Sequence, residues 1–284
     1  ESCSMKKIIL ITGCSSGIGA ALAREFHRRG HTVFATARRP AALAPLAENG
    51  IRTLAIDVND DADIAAAAAV IESEGGQVDV LINNAGFSQV GAVIDLSRDD
   101  LRRQYETNVI APVAVTRAFL PLLRNAAARN GMAVVANVGS IVGLFATPFA
   151  GAYCSSKAAL HSLSDALRME LAPFAIRVVT IQPGGVRSSF GNHAEEALRL
   201  PPGSLYLPVA DRVRARAQAG QKDATPAEEF VRPVVDALLA GTPPIVVRGG
   251  KNSVKLPLLK KLLPTAMFDV KLSRIFGLDR LGKG

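Results

Sequence analysis

The sequence predicts an α/β fold built on a doubly wound parallel sheet. Short runs rich in Val and Ile alternate along the chain with segments of helical periodicity. Such runs are typical of strands buried on both faces, and right-handed crossovers between them place helices on both faces of the sheet. The length of 284 residues suits a single domain of this class.

Seven strands and six long helices are expected in this alternating order. The predicted strands span residues 7–12, 32–36, 52–56, 78–82, 133–138, 177–181 and 245–247. The predicted helices span residues 17–29, 41–48, 61–74, 98–124, 151–171 and 226–239. We therefore expect one domain over residues 5–250, followed by a basic helical extension over residues 251–284.

The segment from residue 185 to about residue 225 interrupts the regular alternation. It contains the turn-forming residues Pro201, Pro202 and Gly203 and follows the sixth predicted strand. Open α/β sheets bind their ligands at this edge, and a long insertion there is typical of a functional lid. We predict a small helical lid over the substrate site.

The positive charge of the chain is concentrated at its C-terminal end. The 33 Lys and Arg residues against 25 Asp and Glu give a formal net charge of +8. Residues 248–284 contain nine basic and two acidic residues, so the rest of the chain is nearly neutral. Aromatic residues make up only 5%, which disfavours base stacking, and we predict no nucleic-acid partner.

Cysteine and histidine usage excludes two other kinds of site. The cysteines are three in number, widely spaced and without a C-x-x-C pair: Cys3, Cys14 and Cys154. This pattern is not a disulfide framework, and a cytoplasmic location is the simplest expectation. No metal-binding spacing occurs among the histidines, so we predict no metal site: His27, His31, His161 and His193.

A glycine-rich loop follows the first predicted strand and leads into the first helix. Gly13 would permit a tight turn, and Gly17 and Gly19 would let the backbone approach a pyrophosphate. The helix N-terminus supplies free N–H groups and a partial positive charge to phosphates. This position favours a dinucleotide site over an ordinary turn, with these loop residues in contact: Gly13, Ser15, Ser16, Gly17, Ile18 and Gly19.

The end of the second predicted strand bears on which dinucleotide binds. An NAD site usually has an acidic residue here, which binds the ribose hydroxyls. The sequence instead reads A-T-A-R-R at positions 35–39. Arg38 suits a 2′-phosphate, with Ser15 or Ser16 as a hydroxyl donor. We therefore predict NADP(H), the alternative being a solvated arginine pair at a helix start.

A tyrosine and a lysine four residues apart form the candidate proton donor. Tyr153 and Lys157 share one face of a predicted helix, with Cβ atoms about 5–6 Å apart. A phenol pKa near ~10 is too high for acid–base work at neutral pH, and a neighbouring ammonium lowers it. Such a pair is often only an exposed helical pair. Ser140 after a buried strand and Asn108 in the preceding helix favour the catalytic interpretation.

Together these residues resemble the short-chain dehydrogenase/reductase family, in the subgroup with T-G-x-x-x-G-x-G spacing. The resemblance covers roughly residues 6–247. It includes residues 12–19, Asp57-Val58, Asn83-Asn84-Ala85-Gly86, Asn108, Ser140, Tyr153-x-x-x-Lys157, and Pro183-Gly184 followed by Val186 and Ser188. Two positions depart from the usual pattern, since Gly139 precedes Ser140 in place of a serine and Ser188 stands in place of a threonine.

The resemblance implies a Rossmann fold and a role for each matching residue. Tyr153 would be the acid/base, and Ser140 would hydrogen-bond the substrate oxygen. Lys157 would bind the nicotinamide ribose and lower the pKa of Tyr153, while Asn108 would hold a water of the proton relay. Further cofactor contacts, besides the loop, Arg38, Tyr153 and Lys157, would come from the ends of later strands: Asp57, Val58, Asn84, Ala85, Gly86, Pro183, Gly184, Val186 and Ser188.

The residues around this predicted site favour a hydrophobic substrate. The loop 141–149 and the lid are mostly apolar, and the expected substrate contacts are Ser140, Leu144, Phe149, Tyr153 and Phe190. Within the family, the motifs look most like those of NADP-preferring 17β-hydroxysteroid and retinol dehydrogenases. This implies hydride transfer between NADP(H) and a lipophilic carbonyl or alcohol. The alternatives are that these side chains only pack the lid, and that the protein is a non-catalytic NADP-binding sensor.

Three hypotheses explain the basic extension, in which apolar residues recur at helical spacing: Leu256, Leu259, Leu263 and Met267. The segment forms helices that cover the pocket with a solvated face, a membrane-surface helix drawn to anionic lipid, or a protein interface. The resemblance implies in addition a homodimer or homotetramer that pairs through the helices at 98–124 and 151–171.

Overall fold

A computed structural model describes residues 5–282, which leaves Cys3 and Lys283, one of the nine basic residues near the C-terminal end, outside the described range. A single sheet of seven parallel strands runs through the molecule in the order β3-β2-β1-β4-β5-β6-β7. The strands β1–β7 are Ile8–Ile11, Thr32–Ala37, Arg52–Ala55, Val80–Asn83, Ala133–Val138, Ile176–Pro183 and Val246–Gly249. The predicted parallel sheet is confirmed.

Alternating side chains of the strands build a separate core on each face of the sheet. In β1, Ile9 and Ile11 pack in one core and Leu10 in the other. In β4, Leu81 shares the core of Leu10, on the face opposite its neighbour Ile82. This two-residue period explains why the strands are continuous apolar runs in the sequence.

Helices cover both faces, as the doubly wound fold requires. In chain order, the helices α1–α11 are Gly17–Arg28, Ala44–Ala47, Asp61–Gly75, Arg98–Tyr105, Ala111–Asn130, Gly151–Leu171, Phe190–Glu196, Ala210–Gln218, Ala227–Leu239, Lys255–Leu262 and Thr265–Phe276. Apolar residues of α1 and α9 belong to the core of Ile9, and those of α3 and α5 to the core of Leu10. The helical segment Arg98–Asn130 is long and apolar enough to cross a membrane, but half of its apolar window is buried within the protein.

Local signals explain where two of these helices begin and end. The Asp60 carboxylate accepts hydrogen bonds from two backbone N–H groups at the start of α3, and Ser97 and Asp100 form a capping box at the start of α4. Gly76 follows α3 with a φ of 66°, a left-handed conformation that favours glycine. These caps account for the close agreement of α3 with its predicted bounds.

The long helix predicted at residues 98–124 is wrong as one continuous α-helix. A π-helical turn, Glu106–Ile110, separates α4 from α5. Pro112 in the first turn of α5 has no N–H, so it cannot donate the α-helical hydrogen bond to the carbonyl of Asn108. The backbone hydrogen bonds of the helix therefore change to a longer spacing at this turn. Such single π-helical turns are common near functional sites.

The lid and the C-terminal extension pack against each other beside the carboxyl ends of the strands. The lid contains α7 and α8, and the extension contains α10 and α11. Phe149 contacts Tyr206 of the lid and Phe276 of α11 through edge-to-face rings. A second cluster joins the loop after β5 to α11 through Phe145 and Phe268. The extension therefore forms part of the wall of the cavity at this edge.

Candidate active site

A cavity of about 1090 Å³ lies at the carboxyl edge of the sheet. The loops that follow β1 to β6 all contribute to its wall, together with the lid and the extension. In an open α/β sheet this edge, where neighbouring crossovers diverge to opposite faces, forms the natural ligand crevice. The sequence-predicted cofactor residues line it, except Gly19.

The glycine loop after β1 is held against the loop after β4. Gly13 has a φ of 72°, and a Cβ on it would lie 2.7 Å from the Cα of Ala85. The side-chain amide of Asn84 donates to the carbonyls of Thr12 and Gly13 at 2.9 and 3.0 Å. Gly19 lies behind the loop, where a Cβ would collide with the carbonyl of Gly13. Gly19 thus permits close packing of the loop and does not itself face the cavity.

The far end of the cavity carries the features expected of an adenosine 2′-phosphate site. Arg38 is exposed, lines the cavity with Ser15 and Ser16, and has no carboxylate within ion-pair distance in residues 5–282. Asp57 and Val58 line the adjacent wall at the end of β3. A glycine loop at the N-terminus of α1 with a free arginine beyond it fits a phosphorylated dinucleotide.

Three catalytic candidates meet at the opposite end of the same cavity. Ser140 follows β5, and Tyr153 and Lys157 lie one turn apart on α6. The Lys157 ammonium is buried, lies 5.8 Å from the centroid of the Tyr153 ring and donates to the carbonyl of Val138 at 2.7 Å. This bond fixes the direction of the lysine side chain toward the cavity.

Burial sets the protonation of the two groups, and one sequence expectation is wrong in this respect. Burial raises the pKa of Tyr153 to about 12, against the lowering expected from the spacing. Hydrogen bonding from Ser140 and the positive charge of Arg216 oppose part of this rise. Burial also lowers the pKa of Lys157 to about 8. Tyr153 is therefore protonated at neutral pH, which is the form that donates a proton to a carbonyl oxygen.

Asn108 lies in the π-helical turn behind the catalytic group and does not line the cavity. Its side chain is fully buried, donates to the Phe87 carbonyl at 3.0 Å and to the Ser156 hydroxyl at 3.1 Å, and accepts from the Phe87 N–H at 3.2 Å. These bonds commit the side chain, and Pro112 cannot donate to the main-chain carbonyl of Asn108. The water-binding role stays a prediction.

The segment after β6 is held by a glutamine that the sequence analysis missed. The Gln221 side chain accepts from the N–H of Ser188 at 2.8 Å and donates to the carbonyl of Val186 at 3.3 Å. Val186 and Ser188 are among the cofactor contacts that the resemblance implies, and their groups suit the nicotinamide carboxamide. Gln221 presents the same carboxamide chemistry, so the two would compete for these groups. A lone glutamine in an irregular segment carries no sequence signal of this role.

The substrate side of the cavity differs from the prediction at two residues. The ring of Phe190 lies 5.6 Å from the ring of Tyr153, as expected of a substrate contact. Leu144 is instead partly exposed and Phe149 is buried in the cluster with Tyr206, and neither lines the cavity. The apolar wall comes from residues of the loop and the extension: Phe145, Leu256, Leu259, Phe268, Leu272, Ile275 and Phe276.

A family model described as short chain dehydrogenase matches residues 7–199. The chain belongs to the short-chain dehydrogenase family. A short-chain dehydrogenase/reductase of Pestalotiopsis microspora is 36% identical over 282 residues, 97% of this chain and 96% of the relative. An NADPH-dependent 1-acyldihydroxyacetone phosphate reductase of Schizosaccharomyces pombe is 34% identical, over 86% of this chain and 80% of the relative. The crystal structure of a short-chain dehydrogenase from Streptomyces avermitilis superposes with a TM-score of 0.76 at 30% identity, covering 100% of both chains.

As a short-chain dehydrogenase, the chain departs from its family pattern at Gly139, and the structure explains this departure. A Cβ on Gly139 would lie 2.7 Å from Cδ2 of His161, and one on Gly143 would lie 2.8 Å from Nδ1 of the same ring. The imidazole therefore fills the space of a side chain at residue 139. Its Nε2 accepts from the N–H of Ser140 at 3.4 Å. His161, for which the sequence predicts only that it binds no metal, supports the backbone of a catalytic candidate.

We expect His161 to make this short-chain dehydrogenase sensitive to acid. Burial, followed by the charge of Lys157, lowers the pKa of His161 to about 4 from an ordinary 6.5. The unfolded chain therefore binds more protons between these values, so stability falls as the pH drops through this window. His161→Gln should remove about 2 kcal/mol of the stability loss between pH 7 and ~5, measured by urea unfolding.

The matched control for this prediction is His27→Gln, since His27 lies on the surface side of α1. It should leave the difference in unfolding free energy between the two pH values unchanged. An equal acid-induced loss in wild type and His161→Gln would show that His161 is not the group responsible.

Proposed function

We propose that the protein is an NADP(H)-dependent alcohol dehydrogenase or carbonyl reductase acting on lipophilic substrates of steroid, retinoid or similar kind. The observation that carries this proposal is the convergence of Ser140, Tyr153 and Lys157 with the dinucleotide loop in one cavity. The wall beyond Tyr153 is apolar, which suits a substrate of this class.

The chemistry of the proposed reaction follows from the positions of the side chains. When bound, NADPH supplies a hydride to the carbonyl carbon. The Ser140 hydroxyl donates a hydrogen bond to the carbonyl oxygen, and the Tyr153 phenol transfers its proton to that oxygen as the alcohol forms. The Lys157 ammonium beside the ring stabilises the phenolate that remains. Reoxidation of the alcohol runs these steps in reverse.

The choice of NADP(H) rests on Arg38 and on the absence of an acidic residue at the end of β2. The relative from Schizosaccharomyces pombe, which is described as NADPH-dependent, supports the same choice. Arginine is suited to a charge-assisted, bidentate pair with a phosphate. The end of β2 offers no carboxylate that would bind the ribose hydroxyls of NAD instead.

The proposed function is tested by following NADPH oxidation with a panel of carbonyl compounds. The panel contains lipophilic ketones and aldehydes beside small, hydrophilic ketones. We expect turnover of the lipophilic compounds and little of the small ones. Tight NADPH binding without turnover of any compound would favour a non-catalytic NADP-binding sensor, and turnover restricted to the small ketones would contradict the proposed substrate class.

We propose further that the outer face of the extension binds anionic membrane surfaces. Leu256, Leu259 and Phe268 face the cavity, so α10 and α11 present their other side outward. That side carries exposed apolar residues, Val254, Leu258, Leu262, Met267 and Val270, among basic ones, Lys255, Lys261 and Arg274. Apolar and basic residues on one helical face are typical of interfacial helices, and a lipophilic substrate would reach the cavity directly from the bilayer.

Vesicle sedimentation tests this contact. Wild type should bind vesicles containing phosphatidylserine, bind pure phosphatidylcholine weakly, and lose binding as salt increases. A Lys255→Glu/Lys261→Glu variant should bind anionic vesicles at least about tenfold more weakly, since each basic residue contributes about 1 kcal/mol at such a surface. Lys222→Glu, exposed in the lid, is the control. Equal binding by wild type and the double variant would contradict the proposed surface.

We also propose a cytoplasmic homodimer or homotetramer. The helices that pair across subunits by resemblance carry exposed apolar residues, Ile110 after α4 and Leu163 and Met169 on α6. Free thiols at Cys14 and Cys154, both buried, suit a reducing compartment.

A further inference from the structure

The lid places an arginine in the wall of the cavity on the substrate side. Arg216 lies in the last turn of α8, lines the same cavity as Tyr153 and Phe190, and is only partly accessible to solvent. Its Nε donates to the hydroxyl of Thr147 at 3.1 Å, which fixes the guanidinium beside the loop that follows Ser140. The position of the charge is thus defined by the fold.

Apart from the catalytic candidate Lys157, the other basic residues at this end of the cavity are paired with carboxylates or exposed to solvent, and this separates Arg216 from them. Arg103 and Arg199 both bind the carboxylate of Asp100, at 2.6 and 3.3 Å. Lys251 pairs with Asp223 at 3.1 Å. The remaining lysines at this end, Lys222 and Lys271, are exposed to solvent. Within residues 5–282, no carboxylate lies within ion-pair distance of the Arg216 guanidinium.

An arginine in this setting is electrostatically incomplete. A desolvated charge is unfavourable unless an opposite charge or sufficient hydrogen bonds accompany it. Burial lowers the pKa of Arg216, in agreement with such desolvation. Among residues 5–282, the side-chain partners of Arg216 are the hydroxyl of Thr147 and the sulfur of Cys154, and neither is a carboxylate. The planar guanidinium retains donors that match the two oxygens of a carboxylate or a phosphate.

We propose that Arg216 binds an anionic oxygen group, a carboxylate or a phosphate, on the substrate whose carbonyl lies at Tyr153. The substrate is then an amphiphile, with its anionic group on the arginine of α8 and its hydrocarbon part against the apolar residues of α10 and α11. This assignment rests on the proposed carbonyl chemistry and narrows the substrate class within it. Small charged ketones stay poor substrates because they lack the hydrocarbon part.

Matched substrates test the assignment. The probes are ω-oxo carboxylic acids of graded chain length, their methyl esters and the corresponding ω-oxoalkyl phosphates, reduced with NADPH. We expect Arg216→Gln to raise KM for the acids or the phosphates by about ten- to hundredfold, the loss expected of a charge-assisted hydrogen bond. KM for the esters should be the same in wild type and Arg216→Gln, because any effect of the Arg216 charge on the Tyr153 phenolate changes kcat for acids and esters alike. Arg216→Lys should retain part of the preference, and the ratio of acid to phosphate identifies the anion.

The control is Arg214→Gln, the same substitution on the same helix. Arg214 is exposed, pairs with Asp211 at 3.7 Å and does not line the cavity. It should leave the ratio of KM between acid and ester unchanged. If Arg216→Gln lowered the reduction rates of acids and esters by the same factor and raised both KM values equally, the proposal would be overturned. Arg216 would then only hold the lid against the loop after Ser140 through Thr147. A shifted pH profile for the esters with no change in the acid-to-ester ratio would overturn it in favour of an effect on Tyr153.

Binding without chemistry separates this proposal from the proposed function. Calorimetric titration of dodecanoate and of methyl dodecanoate into the full chain with NADP+ requires no turnover. We expect wild type to bind dodecanoate more tightly than methyl dodecanoate, and Arg216→Gln to bind dodecanoate about tenfold or more weakly than wild type. This result would support the anion site even if no carbonyl were reduced. Equal affinity of dodecanoate for the two proteins would overturn the anion site while leaving the carbonyl chemistry standing.

Discussion

Tyr153→Phe is expected to lower kcat for carbonyl reduction by about 10²–10⁴-fold, the range for loss of a positioned general acid. The substitution removes one oxygen and leaves the ring that packs against Phe190 at 5.6 Å. The carbonyl carbon stays accessible to the hydride, but the carbonyl oxygen lacks its proton donor, and the Ser140 hydroxyl, a hydrogen-bond donor only, does not replace it. Stopped-flow measurement of NADPH oxidation under single-turnover conditions would report the change in the chemical step.

Two controls keep this prediction specific. Tyr105→Phe makes the same change at the end of α4, away from the cavity, and should leave kcat unchanged. The Kd of NADPH, measured by fluorescence, should change little in Tyr153→Phe, because the phenol oxygen acts on the substrate. If Tyr153→Phe lowered the rate with the best substrate by only about threefold, the loss would be far smaller than the ~10²-fold expected of a general acid. Tyr153 would then be excluded as the acid.

The burial of Tyr153 gives this test a second dimension. Because its pKa is raised to about 12, the donor form dominates at neutral pH and reduction needs no titration of the free group. The same burial makes the phenolate expensive, so the positive charges of Lys157 and Arg216 are needed to stabilise it. Oxidation of the alcohol starts from the phenolate. Its rate should therefore depend more strongly on these two cations than the rate of reduction does.

The elements of the sheet were predictable because their sequence signals are local. The strand Ala133–Val138 and the helix Gly151–Leu171 match their predicted bounds to the residue, since each is a continuous pattern between clear turn signals. The π-helical turn at Glu106–Ile110 was not predicted. Its hydrogen bonds span only one residue more than those of an α-helix, so a single such turn leaves no distinct sequence pattern. The lid helices α7 and α8 are short and polar, which hides them in a sequence.

Residues of the site were predictable where a motif fixes them and not where tertiary packing does. Ser140, Tyr153 and Lys157 are recognised by the Tyr–Lys spacing together with its sequence context and the family resemblance. Leu144 and Phe149 were chosen as substrate contacts because they are apolar and close in sequence to Ser140. Phe149 instead contacts Tyr206 and Phe276. The direction of a loop side chain depends on partners more than 50 residues away, which no local pattern records.

The pKa of Tyr153 shows the same limit in energetic form. The i, i+4 spacing with Lys157 correctly predicts that the ammonium lies near the ring. It cannot predict desolvation, which depends on how completely the lid and extension cover the site. That larger effect reverses the sign of the shift. Position was therefore predictable from the helix, and electrostatics only from the complete fold.

Arg38→Asp is expected to lower kcat/KM for NADPH by about 10²–10⁴-fold and to improve the use of NADH. Each charge-assisted hydrogen bond to the 2′-phosphate contributes about 1.5–3 kcal/mol, and arginine forms two at once. The aspartate removes both bonds and adds repulsion between two anions. It also supplies the carboxylate that usually binds the ribose hydroxyls of NAD, so NADH gains a contact that Arg38 cannot give.

Arg39→Asp is the internal comparison, because Arg39 lines the same end of the cavity and the two arginines are adjacent in the chain. If Arg38 alone binds the 2′-phosphate, Arg39→Asp should change kcat/KM for NADPH by less than about tenfold. This is the effect expected when a solvated charge changes near the phosphate, within about a Debye length. Steady-state rates with both cofactors at one ionic strength measure the switch. An Arg38→Asp enzyme that kept its preference for NADPH while Arg39→Asp lost it would move the phosphate site by one residue. That outcome would place the determinant at Arg39, which immediately precedes the 3₁₀ turn Pro40–Leu43, rather than at Arg38.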